Sequence, residues 1–411
     1  MCGFVGGTNP IWKYSAALES IAHRGPDSSK LHLEKPIQVG FRRLSIIDLG
    51  EKADQPMFAP DGDSWLVFNG EIYGFQSIRR HLEKKGHIFR TNSDTEVVLH
   101  AYCEWGDQFV EHLDGMFAVV IWDAGQKELK LFRDRPGIKP LYYFFDGQQF
   151  AFASELKALE VACAVEKFSI DETALYDFLG YRYVPTPKTL YKNVFKLPPA
   201  HMLSFSPYTM QIRGPKRYWQ IENCNEQTER SLEDCCDELR SLIDLSVSDQ
   251  MVADVPVGFF LSGGVDSSTV VAAASGIKNN LSTFSIGFET ESVSETPFAK
   301  VIAELFKTDH HEKILRQSDT QESLSNFKDW FDEPFADESA IPTFLVSKIA
   351  REQVTVVLTG DGGDEVFGGY RTYPRYERYD RWPSSNFVTD SILYWLRKPF
   401  RQRGSIARII G

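Results

Sequence analysis

Met1-Cys2-Gly3-Phe4-Val5-Gly6-Gly7 opens the chain. Removing the initiator Met makes Cys2 the first residue, and one residue then carries both a thiol and a free α-amine. A thiol is an intrinsically good nucleophile once it becomes a thiolate. An α-amine titrates at about 7.7–8.0, so part of it accepts protons at neutral pH. Nucleophile and base then coincide, as in enzymes that use an N-terminal threonine. A cysteine at position 2 means nothing alone. Its weight comes from the blocks that follow.

Those blocks lie in a strand-rich half, residues 1–205. Runs at 37–41, 65–68, 117–122, 129–132 and 141–145 are rich in β-branched and aromatic residues, with Gly, Asp and Asn between them. Helical patterns interrupt at 75–85 and 94–105; Asp94 is placed to cap the second, with Ser93 beside it. Many strands with few helices predict sheets packed face to face with helices outside. Four blocks stand out: His23-Arg24-Gly25-Pro26-Asp27, Arg43-Leu44-Ser45-Ile46-Ile47-Asp48, Phe68-Asn69-Gly70-Glu71-Ile72-Tyr73 and Ser93-Asp94-Thr95-Glu96.

A thiolate attacking an amide needs donors for the tetrahedral oxyanion, and an Asn side chain with a Gly N–H suits that task. Asn69-Gly70 offers the pair, read here as a tight turn at the end of a strand. The α-carboxylate of a free amino acid is gripped by an arginine fork, for which Arg43 is the candidate. Its α-ammonium needs a carboxylate, and Glu71 or Asp94 supplies one.

Together with Gly115-Met116-Phe117 and Arg133-Asp134-Arg135-Pro136-Gly137-Ile138-Lys139-Pro140-Leu141-Tyr142-Tyr143, these blocks resemble a class II glutamine amidotransferase domain of the kind found in asparagine synthetases. The resemblance implies an α+β N-terminal-nucleophile αββα sandwich that hydrolyses glutamine to glutamate and ammonia. It implies Cys2 as nucleophile and Asn69 and Gly70 as oxyanion hole. It also implies Arg43, Glu71 and Asp94 as glutamine binders, with the backbone of Leu44, Ser45, Ile46 and Ile47 alongside. Gly74 departs from the family, which commonly has Asn there.

The texture changes along the chain. The stretch 183–217 holds six prolines (Pro185, Pro187, Pro198, Pro199, Pro207 and Pro215) and reads as a loop-rich connector, with a linker at 206–229. Residues 230–411 read as the second domain. Helices at 230–250, 267–275, 296–306 and 341–352 alternate with strands at 255–261, 281–288 and 354–358, which predicts an α/β domain built on a parallel sheet. Leu261-Ser262-Gly263-Gly264-Val265-Asp266-Ser267-Ser268 follows one strand and opens a helix. Small residues there let backbone N–H groups reach phosphate oxygens. No Lys follows the glycines, so this is not a Walker A loop. A second acidic glycine loop, Thr359-Gly360-Asp361-Gly362-Gly363-Asp364, follows the last strand. Mg²⁺ takes one or two carboxylates plus phosphate oxygens, and Asp266 and Asp364 are the candidates.

This half resembles the pyrophosphate-loop ATP-binding domain of the same synthetases. The resemblance implies ATP cleavage between the α and β phosphates. Ser262, Gly263, Gly264, Ser267 and Ser268 would bind pyrophosphate, and Asp266 and Asp364 would bind Mg²⁺. Phe260, Leu261, Ile286, Thr359 and Gly360 would lie near adenine or ribose. Asp361 falls where the family has an acidic residue important to the aspartyl-adenylate step. His310 and His311 are read as structural. The expected reaction is amidation of aspartate by ammonia from glutamine. Alternatives are amidation of another carboxylate (a peptide, sugar acid or antibiotic precursor) or a nucleotide-sensing relative without catalysis. Family members carry a further helical region after the tyrosine-rich segment near Tyr370. Nothing here matches it, so a fragment or a shortened relative is expected.

The 411 residues carry a net charge of −12, which argues against a general nucleic-acid binder. No stretch reaches the length of a membrane span, and no signal peptide is read at the N-terminus. Cys2, Cys103, Cys163, Cys224, Cys235 and Cys236 have no paired spacing, so neither zinc nor a disulfide framework is expected and a reducing cytoplasm fits. Cys235 and Cys236 are read as buried small hydrophobes on a helix. The tail 391–411 has five basic residues (Arg397, Lys398, Arg401, Arg403 and Arg408) and no acid. The resemblance leaves a homodimer open.

Overall fold

A computed structural model describes residues 1–163, 168–222, 230–289, 294–370 and 372–374. The basic tail and Cys224 lie outside the described residues. The chain forms two compact units, Met1–Thr359 and Gly360–Gly411.

The first unit begins with two six-stranded antiparallel sheets. Strand Gly3–Gly7 is central in one, paired with Gln38–Arg43 on one side and Phe150–Ala153 on the other. Strand Trp65–Ile72 pairs with Gly115–Asp123 in the second. Side chains alternate across a strand, and here both faces are covered. Phe4, Trp65, Val67, Val120 and Leu131 fill the space between the sheets. Val5 points the other way, against Leu18 and Leu159 of the helices Tyr14–Ser20 and Leu156–Cys163 and Ile21 just after the first. Leu66 and Phe68 pack on Val97, Val98 and Ala101 of helix Asp94–Trp105. The order is therefore helix, sheet, sheet, helix: the expected αββα sandwich. Burying each large apolar side chain contributes about 1.5–3 kcal/mol, so the inter-sheet layer makes a rigid mount for whatever its strand ends carry.

The proline-rich stretch is not a plain connector. It carries strands Val194–Lys196, His201–Ser206 and Gln211–Arg217. The last two add to the free edge of the second sheet, where prolines lie outside the ladder or at its rim.

A four-stranded parallel sheet follows, ordered Asp309–Leu315, Ser282–Phe288, Val257–Phe260, Val356–Leu358. Strand Asp309–Leu315, which holds His310 and His311, had no strong period-2 pattern. Helices Leu232–Gln250, Val265–Ile277 and Thr296–Phe306 cover one face through Val247, Val271, Ala274, Ala299 and Ala303. Helix Ala340–Arg351 covers the other through Val346 and Ala350. The chain starts in the middle, builds outward, then returns to the opposite side of Val257–Phe260. That reversal is a topological switch point, where ligands bind in open α/β sheets. Cys235 and Cys236 sit on helix Leu232–Gln250 as expected, but both are exposed. No helix among the described residues is long and apolar enough to cross a membrane.

Candidate functional site

Cys2 stands immediately before the central strand Gly3–Gly7. Its Sγ donates to the Leu44 carbonyl at 3.6 Å. Arg24 holds the same residue from behind, Nε to the Cys2 carbonyl at 2.9 Å, and is itself tied to Glu155 Oε1 at 2.8 Å. Burial pushes the Cys2 thiol above its ordinary value, while the terminal amine and Arg43 pull it down. The structure retains Met1, so the α-amine belongs to that residue. Burial lowers it to about 6, with help from the positive charges of Arg24 and Lys139.

Asn69 and Gly70 are not in a turn. Both lie inside strand Trp65–Ile72, opposite Ala118 and Phe117. Gly70 is glycine because a Cβ there would collide with the Met116 carbonyl oxygen of the paired strand. Asn69 is 1% exposed, and neither its Oδ1 nor its Nδ2 has a hydrogen-bond partner. Burying an amide unpaired costs about 1–3 kcal/mol, so this side chain is aimed at something the folded chain does not supply. The strand lies against Gly3–Gly7 across the two sheets.

The helix that follows Asn92 is capped by Ser93, not Asp94: Ser93 Oγ accepts from Glu96 N–H at 3.3 Å. Asp94 instead turns to strand Trp65–Ile72 and accepts from Ile72 N–H at 3.1 Å. Burial raises its carboxyl to about 6. Glu71 is raised well above the usual range, first by burial and then by the Asp94 charge, against the pull of Lys139 and the terminal amine. Two buried carboxyls that repel each other form a place where a cation is favoured.

Arg43 is 5% exposed and fully engaged. Its guanidinium donates to the Gly50 carbonyl and Asp54 Oδ1 at 2.8 and 2.9 Å, to Ile47 O at 3.4 Å, and to the Asp48 carbonyl. It folds the loop 44–50 around itself, and a fork on a carboxylate has to displace the Ile47 and Asp48 carbonyls. Gly25 fits because a Cβ would strike the backbone at Arg42; Asp27 then accepts from Ser45 N–H at 2.8 Å. Gly74 takes a left-handed φ of 59° at the start of the next helix, a conformation Gly and Asn share.

Several contributors were not assigned from sequence. Arg24 and Lys139 lay in quoted blocks but had no role. Asp134, fully buried, accepts from Phe117, Ile138 and Lys139 N–H at 3.0, 2.8 and 2.9 Å. It fixes the loop that brings Lys139 in. An acid between two arginines, followed by Pro and Gly, was the available signal.

The second candidate site is the loop after Val257–Phe260. Ser262 N–H donates to Ser267 Oγ at 3.2 Å, and Gly264 N–H to Ser262 Oγ at 3.1 Å. Gly263 has φ 83°, and a Cβ would sit 2.5 Å from Ala299 N. Gly264 caps helix Val265–Ile277, which has Asp266 in its first turn. The Ser268 hydroxyl is buried without a partner. Leu261 is buried and its N–H donates to Phe284 O at 2.9 Å. Phe260 and Ile286 are half-buried against Phe284 and Val346. In the second unit, Gly362 at φ 96° starts the short helix Gly363–Phe367, which holds Asp364 in its first turn. Gly363 N–H donates to the Gly360 carbonyl at 3.2 Å, and Gly369 N–H to the Asp364 carbonyl at 3.0 Å. No cluster of three or more His, Cys, Asp or Glu side chains suited to a metal occurs among the described residues.

Comparison with known proteins agrees with both halves. A glutamine amidotransferase domain model matches residues 1–219, and an asparagine synthase model matches 238–410. Asparagine synthetase (glutamine-hydrolysing) 1 of Bacillus subtilis is 40% identical over 91% of this chain and 59% of its own. A provisionally named glutamine-hydrolysing asparagine synthetase 2 of Methanocaldococcus jannaschii is 38% identical over 88% of this chain and 73% of its own. This chain belongs to the glutamine-hydrolysing asparagine synthetase family. It spans 59% of the length of the B. subtilis relative and of a second one, synthetase 3 of the same species, at 36% identity over 86% of this chain.

Proposed function

We propose that this synthetase-family chain hydrolyses glutamine at Cys2 and passes the ammonia to an adenylated carboxylate, aspartate by family. The unpartnered Asn69 amide carries the reading. Glutamine enters with its α-ammonium between Glu71 and Asp94, where it relieves their repulsion, and with its α-carboxylate facing Arg43 and the backbone of 44–47. With Met1 removed, the Cys2 α-amine takes the thiol proton as sulfur attacks the carboxamide carbon. The oxyanion meets Asn69 Nδ2 and the Gly70 N–H. Collapse releases ammonia, which takes the proton, and leaves a thioester. Water then cleaves the thioester to glutamate and regenerates the thiol.

In the second half, the Ser262–Ser268 loop receives the pyrophosphate portion of ATP. The partnerless Ser268 hydroxyl and the helix N-terminus support that assignment. Phe260, Leu261, Ile286, Thr359 and Gly360 border the nucleoside, and Asp361 serves the adenylation step. A bound Mg²⁺ would neutralise phosphate charge, and Asp266 and Asp364, each in its own unit, are the candidate carboxylates. The carboxylate gains AMP as leaving group, and ammonia displaces it. We place the boundary between the halves within 206–229. The test measures glutamate, AMP and pyrophosphate with glutamine, ATP and a panel of carboxylates. Aspartate-dependent AMP and pyrophosphate in equal amounts, matched by glutamate above its basal release, are expected. Glutamate release with no carboxylate-dependent AMP would refute the coupled reaction.

A further inference from the structure

The loop that faces Cys2 is held from the other half of the molecule. Asp254 lies three residues before strand Val257–Phe260, the strand that leads into the phosphate loop. Its backbone N–H donates to the Ile46 carbonyl at 2.9 Å, and its Oδ2 accepts from Asp48 N–H at 2.7 Å. Asp48 is the keystone of that loop. It has a left-handed φ of 55°, costly for a residue with a side chain. Its carboxylate accepts from Gly50 N–H at 3.1 Å and Asn92 N–H at 2.7 Å. Its carbonyl accepts from Arg43. Arg43, Asn92 and Asp254 thus pull on one residue from three elements, and Asn92 is two residues from Asp94. Of these hydrogen bonds among the described residues, the two made by Asp254 come from outside the amidotransferase half.

We propose that Asp254 is a positioning residue for glutamine: by gripping Ile46 and Asp48 it sets the loop 44–50 that receives the substrate's α-carboxylate. The proposal rests on the glutamine-hydrolysing reading above. It gives the nucleotide-binding half a direct hold on the glutamine site, through the bonds that join Asp254 to Ile46 and Asp48 and one short strand. Loop seating acts on substrate binding, while Cys2, Asn69 and Gly70 do the chemistry from the two sheets. The signature is therefore a change in KM with kcat preserved.

The test measures glutamate release against glutamine concentration with the full chain. Asp254→Ala is expected to raise KM roughly three- to thirtyfold, the range for residues that couple sites without touching ligand, with kcat within about twofold. Asp254→Asn keeps an oxygen acceptor for Asp48 N–H and is expected to stay within about twofold of wild type in KM. Glu333→Gln probes the same seam elsewhere, where Glu333 accepts from Leu190 N–H at 2.7 Å and pairs with Lys196 at 2.6 Å; its KM should be unchanged. Three results would overturn the proposal: wild-type KM in Asp254→Ala, loss carried by kcat, or an equal rise in Asp254→Asn or Glu333→Gln. If wild type releases no glutamate, or Cys2→Ala still does, the underlying glutamine reading fails instead.

Discussion

Cys2 stands just before strand Gly3–Gly7 and Ser268 in the first turn of the helix after strand Val257–Phe260, and their surroundings differ. Around Cys2 both sheets are covered on both faces, and the acids Glu71 and Asp94 are driven toward their neutral forms. Around Ser268 the loop is open: Ser262, Gly264 and Val265 are exposed. The contrast fits the proposed chemistry. A covalent attack needs donors fixed in advance, in a place where water does not compete. A phosphate chain is gripped by backbone N–H groups and a helix terminus, which work at an open rim. The same difference extends outward. Helices of the second half leave Leu239, Leu242, Leu245, Phe298, Val301 and Leu305 exposed, whereas helices Tyr14–Ser20, Asp94–Trp105 and Leu156–Cys163 bury their apolar sides on the two antiparallel sheets.

The largest effects should separate the halves. Cys2→Ala is expected to lower glutamine hydrolysis by more than about 1,000-fold and leave ammonia-driven amidation within about twofold. Asp266→Asn should do the reverse, removing ATP turnover and sparing basal glutamate release. A single substitution that silences both reactions would show that the halves are not independent machines.

Next comes the oxyanion site. Asn69→Ala removes one donor and should lower kcat for glutamine roughly 100- to 1,000-fold. It also removes two unpaired buried polar atoms, so its melting temperature should not fall. Loss of stability with preserved kcat would make Asn69 a structural residue.

A pH series sharpens the contrast. Asp94 titrates at about 6 in the folded chain, above the roughly 3.9 of an unfolded one. The folded state binds the proton more tightly, so the stability Asp94 contributes is complete below about pH 4 and lost as pH rises through about 6. Asp94→Asn, which never ionises, should therefore gain melting temperature relative to wild type between pH 4 and pH 8, while its KM for glutamine rises. A stability gap that does not change across that window would contradict the buried-carboxyl account.

The smallest effect compares two helix caps. Ser93 is buried, and its Oγ also meets Thr91 Oγ1 at 2.9 Å. Ser231 is exposed and accepts from Asp234 N–H at 3.0 Å. Cap losses run about 0.5–2 kcal/mol. Ser93→Ala should fall at the upper end and Ser231→Ala at the lower, read by denaturant unfolding. Equal costs would remove the distinction between the sealed and open halves at this level.

The parts legible in the sequence were those with a local signature. Helix 296–306 was placed to the residue, because Pro297 and a clear apolar stripe mark it. The face-to-face sheets followed from many strand runs with few helices between them, and the αββα order from the family resemblance; Trp65 to Phe68, apolar at every position, is buried on both faces. What escaped depended on partners far away in the chain. Asn69-Gly70 has the look of a turn, but Gly70 answers to Met116 across a ladder. Ser93 and Asp94 are adjacent, and only the strand at Ile72 decides which one caps the helix. Arg43 was read as a fork for substrate, while in the fold it first organises its own loop. Asp254 carried no motif at all; its role appears only once Asp48 is placed against it.

In the proposed reaction a processed N-terminal sulfur attacks a glutamine-like carbon. A chloromethyl ketone analogue of glutamine tests it most directly, since a thiolate displaces chloride and keeps the adduct. Peptide mass spectrometry of the treated protein should find one adduct per chain, on Cys2 of a peptide that begins at Cys2, with protection by glutamine. An adduct confined to Cys103, Cys163, Cys235 or Cys236, or found on Cys2 of chains that still carry Met1, would contradict it.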